Sequence, residues 1–119
     1  MLKELLLLLL LLIFEYSLSK PSIKTYPTID LIENSPINSV VIELNSTLKM
    51  KKYFLLNLIG FEINKFILIN GNIYTKDFID REEFIERKYC LDELYCKIEL
   101  HIVINDGLEY LIIPIHIVE

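Results

Sequence analysis

Alternating apolar and polar residues make the C-terminal part of the chain the clearest region of predicted structure. Apolar side chains at even positions from Ile98 to Ile104 alternate with others, mostly polar, at odd positions from Lys97 to Val103. Since successive side chains of a strand point to opposite faces, this pattern predicts one buried and one wetter face. The sequence NDG at 105–107 tolerates positive φ and is a strong hairpin signal. The returning strand, Glu109 to Val118, is expected to have an unpaired side at Pro114, which cannot donate to a ladder.

Shorter apolar segments predict further strands upstream. They are Ile23 to Ile29, which Pro27 interrupts, Val40 to Leu44, Lys52 to Leu58, Phe66 to Ile69 and Asn72 to Thr75, with Asn70-Gly71 as a turn between the last two. β-favouring residues dominate, and long stretches of helical periodicity are missing. The exception is Asp77 to Tyr89, which fits a helical turn or two. Seven short strands separated by turn signals predict an all-β sandwich in one domain.

The N-terminal residues predict a secretory leader. Leu5 to Phe14 form an apolar run of ten, with Lys3 before it and Ser17 and Ser19 after it. A membrane-spanning helix needs about 20 apolar residues, so ten are too few to cross a bilayer. A short apolar run before small residues two apart is typical of a signal peptide, cut here near Ser19. We therefore expect a signal peptide at 1–19 and a mature domain at 20–119, with a buried N-terminal strand or helix as the alternative.

The charge of the mature region bears on its partners. The chain has a net charge of −5 at pH 7, and residues 20–119 keep 11 basic and 15 acidic side chains, a net charge of −4. Nucleic-acid binding depends on Lys and Arg against phosphates, so this balance argues against nucleic acid. No other apolar run approaches membrane length, so a membrane anchor is not expected within this chain.

The only two cysteines, Cys90 and Cys96, both lie in the mature region. In an oxidising compartment, an even number of cysteines close in sequence predicts a disulfide. Closing so short a loop should stabilise the fold by about 2–2.5 kcal/mol. Two unpaired thiols in the core are the alternative. A zinc site is poorly supported, because there is no second cysteine pair.

Catalytic motifs are missing from the sequence. The mature region has only three glycines, at positions 60, 71 and 107, and neither a Gly-x-Ser-x-Gly elbow nor a His-Glu-x-x-His helix occurs. His101 and His116 fall on the last predicted hairpin, where they are expected to face each other in a packing role. We therefore do not expect an enzyme; a small secreted hydrolase would need a nucleophile and a base in one cleft.

An acidic cluster offers a candidate metal site. Asp80 and Glu82 are two residues apart, so on an extended backbone both side chains would point the same way. Hard cations such as Ca²⁺ take about 6–8 oxygen ligands, and a bound cation would relieve the repulsion between the carboxylates. Arg81 between them would point away, toward a neighbouring strand. The alternative is a solvated acidic turn in which Glu83 and Glu86 pair with the basic residues that follow.

Several segments of the mature region resemble cadherin repeats. Glu33 to Val41, ENSPINSVV, is similar to the glutamate-containing turn that opens these repeats, although Asn38 stands where glycine is usual. The strand GNIYT at 71–75 followed by IDRE at 79–82 resembles their second signature. The spacing of the two cysteines is similar to that in the first domain of protocadherins. The resemblance covers residues 22–119.

The resemblance implies a fold, a site and a function. The fold is a seven-strand Greek-key, immunoglobulin-like cadherin sandwich. By motif position the Ca²⁺ ligands would be Glu33, Asp80 and Glu82, and Glu119 stands at the first aspartate of the linker motif Asp-x-Asn-Asp-Asn, whose remainder is absent. The implied function is calcium-dependent, homophilic cell–cell adhesion on the extracellular side of the plasma membrane. Its partners would be further cadherin repeats in the same chain and a matching protein on an apposed cell.

Other features narrow this interpretation. The chain has no tryptophan, so strand exchange anchored by tryptophan is not expected. Asn45 begins the only glycosylation sequon, and a glycan there would keep that patch out of a tight interface. The alternative function is a secreted or surface β-sandwich that binds another ligand without calcium. Asn38 and the missing linker motif leave room for this alternative.

Overall fold

The N-terminal segment is helical in the computed structural model, which describes residues 2–18 and 22–119. Helix α1 spans Leu2–Leu18, and its leucines at positions 2 and 5–10 are exposed. Within the described residues, no helix combines the length and apolar character needed to cross a membrane. The predicted cleavage near Ser19 lies outside the described residues, so the signal peptide stays a prediction.

Short strands and helices form the rest of the described chain. The strands are β1 Ser22–Thr25, β2 Ile29–Ile32, β3 Val40–Glu43, β4 Tyr53–Leu56, β5 Phe66–Ile69, β6 Asn72–Thr75, β7 Lys97–Ile104 and β8 Glu109–Val118. The helices are α2 Asn45–Leu48, α3 Glu62–Lys65 and α4 Arg81–Glu86, with a 3₁₀ turn at Asn105–Gly107. Helix α4 lies in the segment for which the sequence predicts a helical turn or two, so that prediction is confirmed.

The strands form two sheets around one core. In the five-stranded sheet, β7 lies between β4 and β8 in antiparallel pairing, and β1 and β2 both run parallel to β8. The other sheet is antiparallel, in the order β3-β6-β5. The chain crosses from one sheet to the other between β2 and β3, β3 and β4, β4 and β5, and β6 and β7. The predicted all-β sandwich is confirmed.

Two prolines explain why the first predicted strand is divided into β1 and β2. β1 pairs with the first four residues of β8 and β2 with the last four, which leaves Pro114 unpaired on this side. The carbonyls of Ile112 and Val118 accept hydrogen bonds from the β1 and β2 side. Pro114 has the same parity in the strand, so its missing N–H faces that side. The unpaired side predicted at Pro114 therefore lies where Pro27 interrupts the first strand.

The two predicted turns have the expected backbone. Asn70 and Gly71 have φ values of 51° and 81°, and the residues of the 105–107 turn have values of 51°, 55° and 97°. Gly71 is also tightly packed, since a Cβ there would lie 2.6 Å from Cα of Asn45. The β5–β6 turn is therefore fixed both by its conformation and by its contact with α2.

The register of the last hairpin separates the two histidines. His101 lies opposite Ile112, and His116 lies opposite Lys97 near the other end of the hairpin. The expectation that they face each other is wrong, because the turn at 105–107 fixes which residues pair. His101 instead lies with Nδ1 2.7 Å from the hydroxyl of Tyr110.

The core lies between the sheets and is mostly aliphatic. The even-numbered residues of β7 are fully buried, as the alternation predicts, and they pack with Phe66 and Ile73 of the opposite sheet. Phe61 and Phe84 close one side of the core, with ring centroids 5.6 Å apart. Helix α4 is thereby attached to the sandwich through Phe84, which positions the residues at its N-terminus.

Candidate metal-binding pole

The loop after β2 brings together the segments that carry the candidate ligands. The N–H of Glu33 donates to the carbonyl of Val118 at 2.7 Å, and the N–H of Asn34 donates to the carbonyl of Ile79 at 2.9 Å. Glu33 therefore lies between the end of β8 and the residue that precedes Asp80. The backbone therefore places Glu33, Asp80 and Glu119 at one pole of the sandwich.

The turn that follows Glu33 is held by the buried side chain of Thr75. The Thr75 hydroxyl donates to the carbonyl of Pro36 and accepts from the N–H of Ser39, both at 2.9 Å. Its carbonyl accepts from the N–H of Asn38 at 2.7 Å. Asn38 has a φ of 71°, the left-handed conformation that glycine adopts most easily and asparagine tolerates. Asparagine can therefore replace the glycine that the resemblance leads one to expect here.

Asp80 caps helix α4. It has an extended backbone, with φ −117° and ψ 110°, and its Oδ1 accepts from the N–H of Glu82 at 3.0 Å. The expectation of extended backbone through Glu82 is therefore wrong, since the helix begins at Arg81. Aspartate is a preferred N-cap, and the acidic residues of the first turn favour a helix start. Glu82 is exposed in that first turn, and one oxygen of Asp80 is already engaged by the cap.

Arg81 occupies the space between the pole and the disulfide loop. Its Nη1 lies 3.5 Å from Oε1 of Glu119, and its Nη2 donates to the carbonyl of Leu94 at 3.0 Å. Arg81 was expected to point away toward a neighbouring strand, and it instead contacts a candidate ligand. Its guanidinium therefore places a positive charge beside the carboxylate of Glu119.

The candidate ligands have the oxygen donors that suit a hard cation, but their side chains do not come together around one point. Carboxylate oxygens are the donors that Ca²⁺ prefers. Among residues 2–18 and 22–119, however, no three His, Cys, Asp or Glu side chains come close enough to hold one metal ion. The backbone brings the ligand-bearing segments together, while the side chains of Glu33, Asp80, Glu82 and Glu119 do not form a ligand group.

An ion-pair network centred on the buried Lys65 connects α3 to α4 beside this pole. Nζ of Lys65 lies 3.2 Å from Oδ2 of Asp77 and also pairs with Glu83. Burial alone would lower the pKa of Lys65, but its hydrogen bonds to Glu83 and Asp77 outweigh burial and raise it. The pKa of Asp77 is lowered, first by the N–H of Phe78 and then by Lys65.

This network was not found by sequence reasoning. In the alternative of a solvated acidic turn, Glu83 would pair with the basic residues that follow it, but it pairs with Lys65, eighteen positions earlier. The one available signal was a lysine directly before the apolar strand at Phe66, a position where a charge needs a partner if it is buried.

Cys90 and Cys96 form the disulfide that the sequence predicts. Both residues are buried, with their Cα atoms 4.8 Å apart. The loop between them exposes Leu91, Leu94 and Tyr95. The bridge thus holds a small loop with an apolar surface against the sandwich, directly before β7.

Asn45, the predicted glycosylation site, is the first residue of α2 and is exposed. It follows the end of β3 and packs against Gly71 through its backbone. Its exposure is compatible with a glycan, and glycosylation there stays a prediction.

Comparisons with known proteins give matches only among solved structures. No family model matches the chain, and no curated protein matches it. Three of the matching structures are "Crystal structure of the Protocadherin GammaB4 extracellular domain" (TM-score 0.58, 20% identity), "PcdhgB3 EC1-4" (0.56, 22%) and "Protocadherin Gamma B2 extracellular cadherin domains 3-6" (0.55, 19%). The alignments cover 77%, 76% and 82% of this chain, respectively.

The matched proteins are much longer than this chain. The aligned part covers 15%, 22% and 21% of their respective chains. At this level of identity the likeness concerns the fold alone. Together with the sheet order and the disulfide, it shows that the chain has a cadherin-like fold resembling the extracellular cadherin domains of protocadherins.

Proposed function

We propose that this chain is a protocadherin-like N-terminal cadherin domain that acts in calcium-dependent, homophilic cell–cell adhesion. The observation that carries the proposal is the pair of backbone hydrogen bonds at the pole, from Glu33 to Val118 and from Asn34 to Ile79. They gather the acidic segments that the cadherin resemblance assigns to calcium. The cadherin-like fold supports the same assignment.

The calcium ligands would be Glu33, Asp80, Glu82 and Glu119. A Ca²⁺ ion bound by them would neutralise carboxylates from this domain and from a following repeat, and so would stiffen the junction between them. One oxygen of Asp80 is already engaged by the helix cap, and the four side chains do not converge among the described residues, so the site formed by these residues is weak. We expect a Kd no better than about 10⁻⁴–10⁻³ M, the range of extracellular modules.

Location and partners follow from the same assignment. A signal peptide at 1–19 would direct the domain to the extracellular side of the plasma membrane. Its partners would be further cadherin repeats in the same protein and an identical domain on an apposed cell. The proposal needs no catalytic role.

A thermal unfolding experiment tests the calcium site. Ligand binding to the folded state alone raises its stability, so millimolar calcium should raise the Tm of the secreted protein. The combined change Glu33→Gln, Asp80→Asn and Glu82→Gln should remove this rise. Asparagine at position 80 keeps the helix cap, because it is as good an N-cap as aspartate.

The matched control is Glu86→Gln, at the other end of α4. This variant removes an exposed carboxylate from the same helix and should keep the calcium response of the wild type. A calcium response of equal size in the triple variant would contradict the assignment of these ligands.

A second function has specific support. A surface β-sandwich that binds another ligand without calcium agrees with the scattered carboxylates and with the contact of Arg81 to Glu119. That alternative predicts the same Tm with calcium and with a chelator in both the wild type and the triple variant.

A further inference from the structure

A groove lies beside Asn45, at the end of the sandwich opposite the acidic pole. It has a volume of about 650 Å³ and is lined by α2, the residues that follow α2 as far as Tyr53, and the turn Asn70-Gly71. Tyr53 begins β4, an edge strand of the five-stranded sheet, whereas the turn joins β5 to β6 of the other sheet. Tyr53 pairs with the last residue of β7, and the acidic pole lies near the first. The groove is therefore bounded by both sheets and separate from the candidate calcium ligands.

Asn45 opens directly onto this groove. Its side chain is exposed, and its Cα and Cβ lie against Gly71, where an added Cβ would be 2.6 Å and 3.2 Å from them. Because Gly71 carries no side chain, the turn leaves space beside Asn45 instead of filling it. Asn45, Ser46 and Thr47 form the sequon of the chain, so the groove begins at the residue to which a sugar would be attached.

The groove has the mixed chemistry that suits a sugar. Tyr53 is half-buried and supplies an aromatic ring. Ser46, Lys49 and Asn70 are exposed and supply a hydroxyl, an ammonium and an amide. A pyranose presents C–H groups on its faces, which pack on aromatic rings, and hydroxyl and acetamide groups at its rim, which form hydrogen bonds. An apolar wall with a few polar groups is the usual form of a small-molecule site.

We propose that Asn45 carries an N-linked glycan whose first N-acetylglucosamine folds back into this groove and stacks on Tyr53. The inference rests on the secretory location in the proposed function, because N-linked glycans are added there. It goes beyond that function, since the sugar would fasten α2 to the start of β4. The groove exists only in the folded state, and the covalent link holds the sugar beside it, so docking should stabilise the fold.

Attachment forms one bond and breaks one. The donor is an oligosaccharide linked to a lipid diphosphate. Nδ2 of Asn45 bonds to the anomeric carbon of the first sugar, and the bond from that carbon to the diphosphate oxygen breaks. The amide proton leaves with the lipid diphosphate, and nothing is oxidised or reduced.

Proton NMR of the secreted protein tests the docking, after an endoglycosidase has trimmed the glycan to its first sugar and mass spectrometry has located that sugar on Asn45. The single acetyl methyl reports on the ring. We expect its signal upfield of its position in the urea-unfolded protein, because it lies over the face of Tyr53. Tyr53→Leu should remove this shift. Tyr95→Leu, at an exposed tyrosine of the disulfide loop, is the matched control and should keep it.

Thermal unfolding gives an independent measurement. Asn45→Gln, which cannot carry the sugar, should lower the Tm by about 2–5 °C relative to the one-sugar form. In a Tyr53→Leu background the same change should have no effect, as a double-mutant cycle requires. If Tyr53→Leu does not fold, the position of the methyl signal in the wild type still decides.

Three results would overturn the proposal: secretion without a sugar on Asn45, a methyl signal at its unfolded position, or equal Tm values with and without the sugar. The calcium response of the Tm in the same samples tests the adhesion site separately. A docked sugar without a calcium response would contradict the proposed function alone.

Discussion

At the scale of single residues, Thr75 contributes most to the geometry of the acidic pole. It is fully buried, and its hydroxyl and carbonyl together make three hydrogen bonds to the turn between Pro36 and Ser39. That turn follows Glu33 directly. The position of the candidate ligand Glu33 therefore depends on Thr75, which is not itself a candidate ligand.

Replacing Thr75 with valine is expected to destabilise the domain. Valine keeps the shape but leaves the Ser39 N–H and the Pro36 carbonyl without their partner, which should cost about 1–3 kcal/mol. Urea unfolding of the wild type and the variant measures the difference. Thr75→Ser keeps the hydroxyl and is the control; a loss as large as that of the valine variant would show that the methyl group, and not the hydrogen bonds, matters.

Lys65 is expected to make stability depend on alkaline pH. Its pKa is raised in the folded state, so its stabilising effect is complete below its ordinary value of 10.5 and is lost as the pH rises through the folded-state value. Lys65→Met should therefore be less stable than the wild type at neutral pH and should lose less stability as the pH rises above about 10.5.

Urea unfolding across this pH range measures the effect. Lys76→Met is the control, because Lys76 directly follows β6 and is exposed. Identical pH dependence in the wild type and Lys65→Met would contradict a stabilising role for the charged lysine. At the acidic end the lowered pKa of Asp77 acts in the opposite direction, so its contribution is present above 3.8 and is lost as the pH falls.

At the scale of elements, the features that depend on neighbouring residues alone are the ones that could be predicted. The alternation in β7 correctly predicts its buried face. Asn70-Gly71 and the residues NDG correctly predict the two turns, because these signals depend only on neighbouring residues. Pro27 was identified as an interruption. Its consequence, two short strands beside β8, also depends on Pro114, which is distant in sequence.

The candidate site was less predictable than the fold. The extended backbone considered through Glu82 was wrong because Asp80 acts as a helix cap, which the two-residue spacing of the carboxylates does not reveal. The pairings of Lys65 and Arg81 and the burial of Glu62 depend on which loops meet in three dimensions. Neither spacing nor hydropathy carries that information.

The β5–β6 turn provides a prediction at this scale. Gly71→Ala should destabilise the domain by more than about 1 kcal/mol. It places alanine at a strained positive φ and brings its Cβ into a clash with Cα of Asn45. Gly107→Ala is the matched control: its φ of +97° is also strained, but nothing lies within 4 Å of the added Cβ. Equal losses of unfolding free energy in the two variants would contradict the close approach of α2 to this turn.

At the scale of the whole molecule, the cadherin-like sandwich gathers its candidate calcium ligands at one end. The acidic pole joins segments from β2, α4 and β8. Calcium bound there would join this domain to a following repeat.

The measurement that tests the central claim most directly is a calorimetric titration of the secreted protein with calcium. We predict a Kd of about 10⁻⁴–10⁻³ M, and no detectable binding after the combined change of Glu33, Asp80 and Glu82. A micromolar Kd would contradict the weak site that these four carboxylates are expected to form. A Kd that is the same in the wild type and the triple variant would contradict the assignment of calcium to this pole.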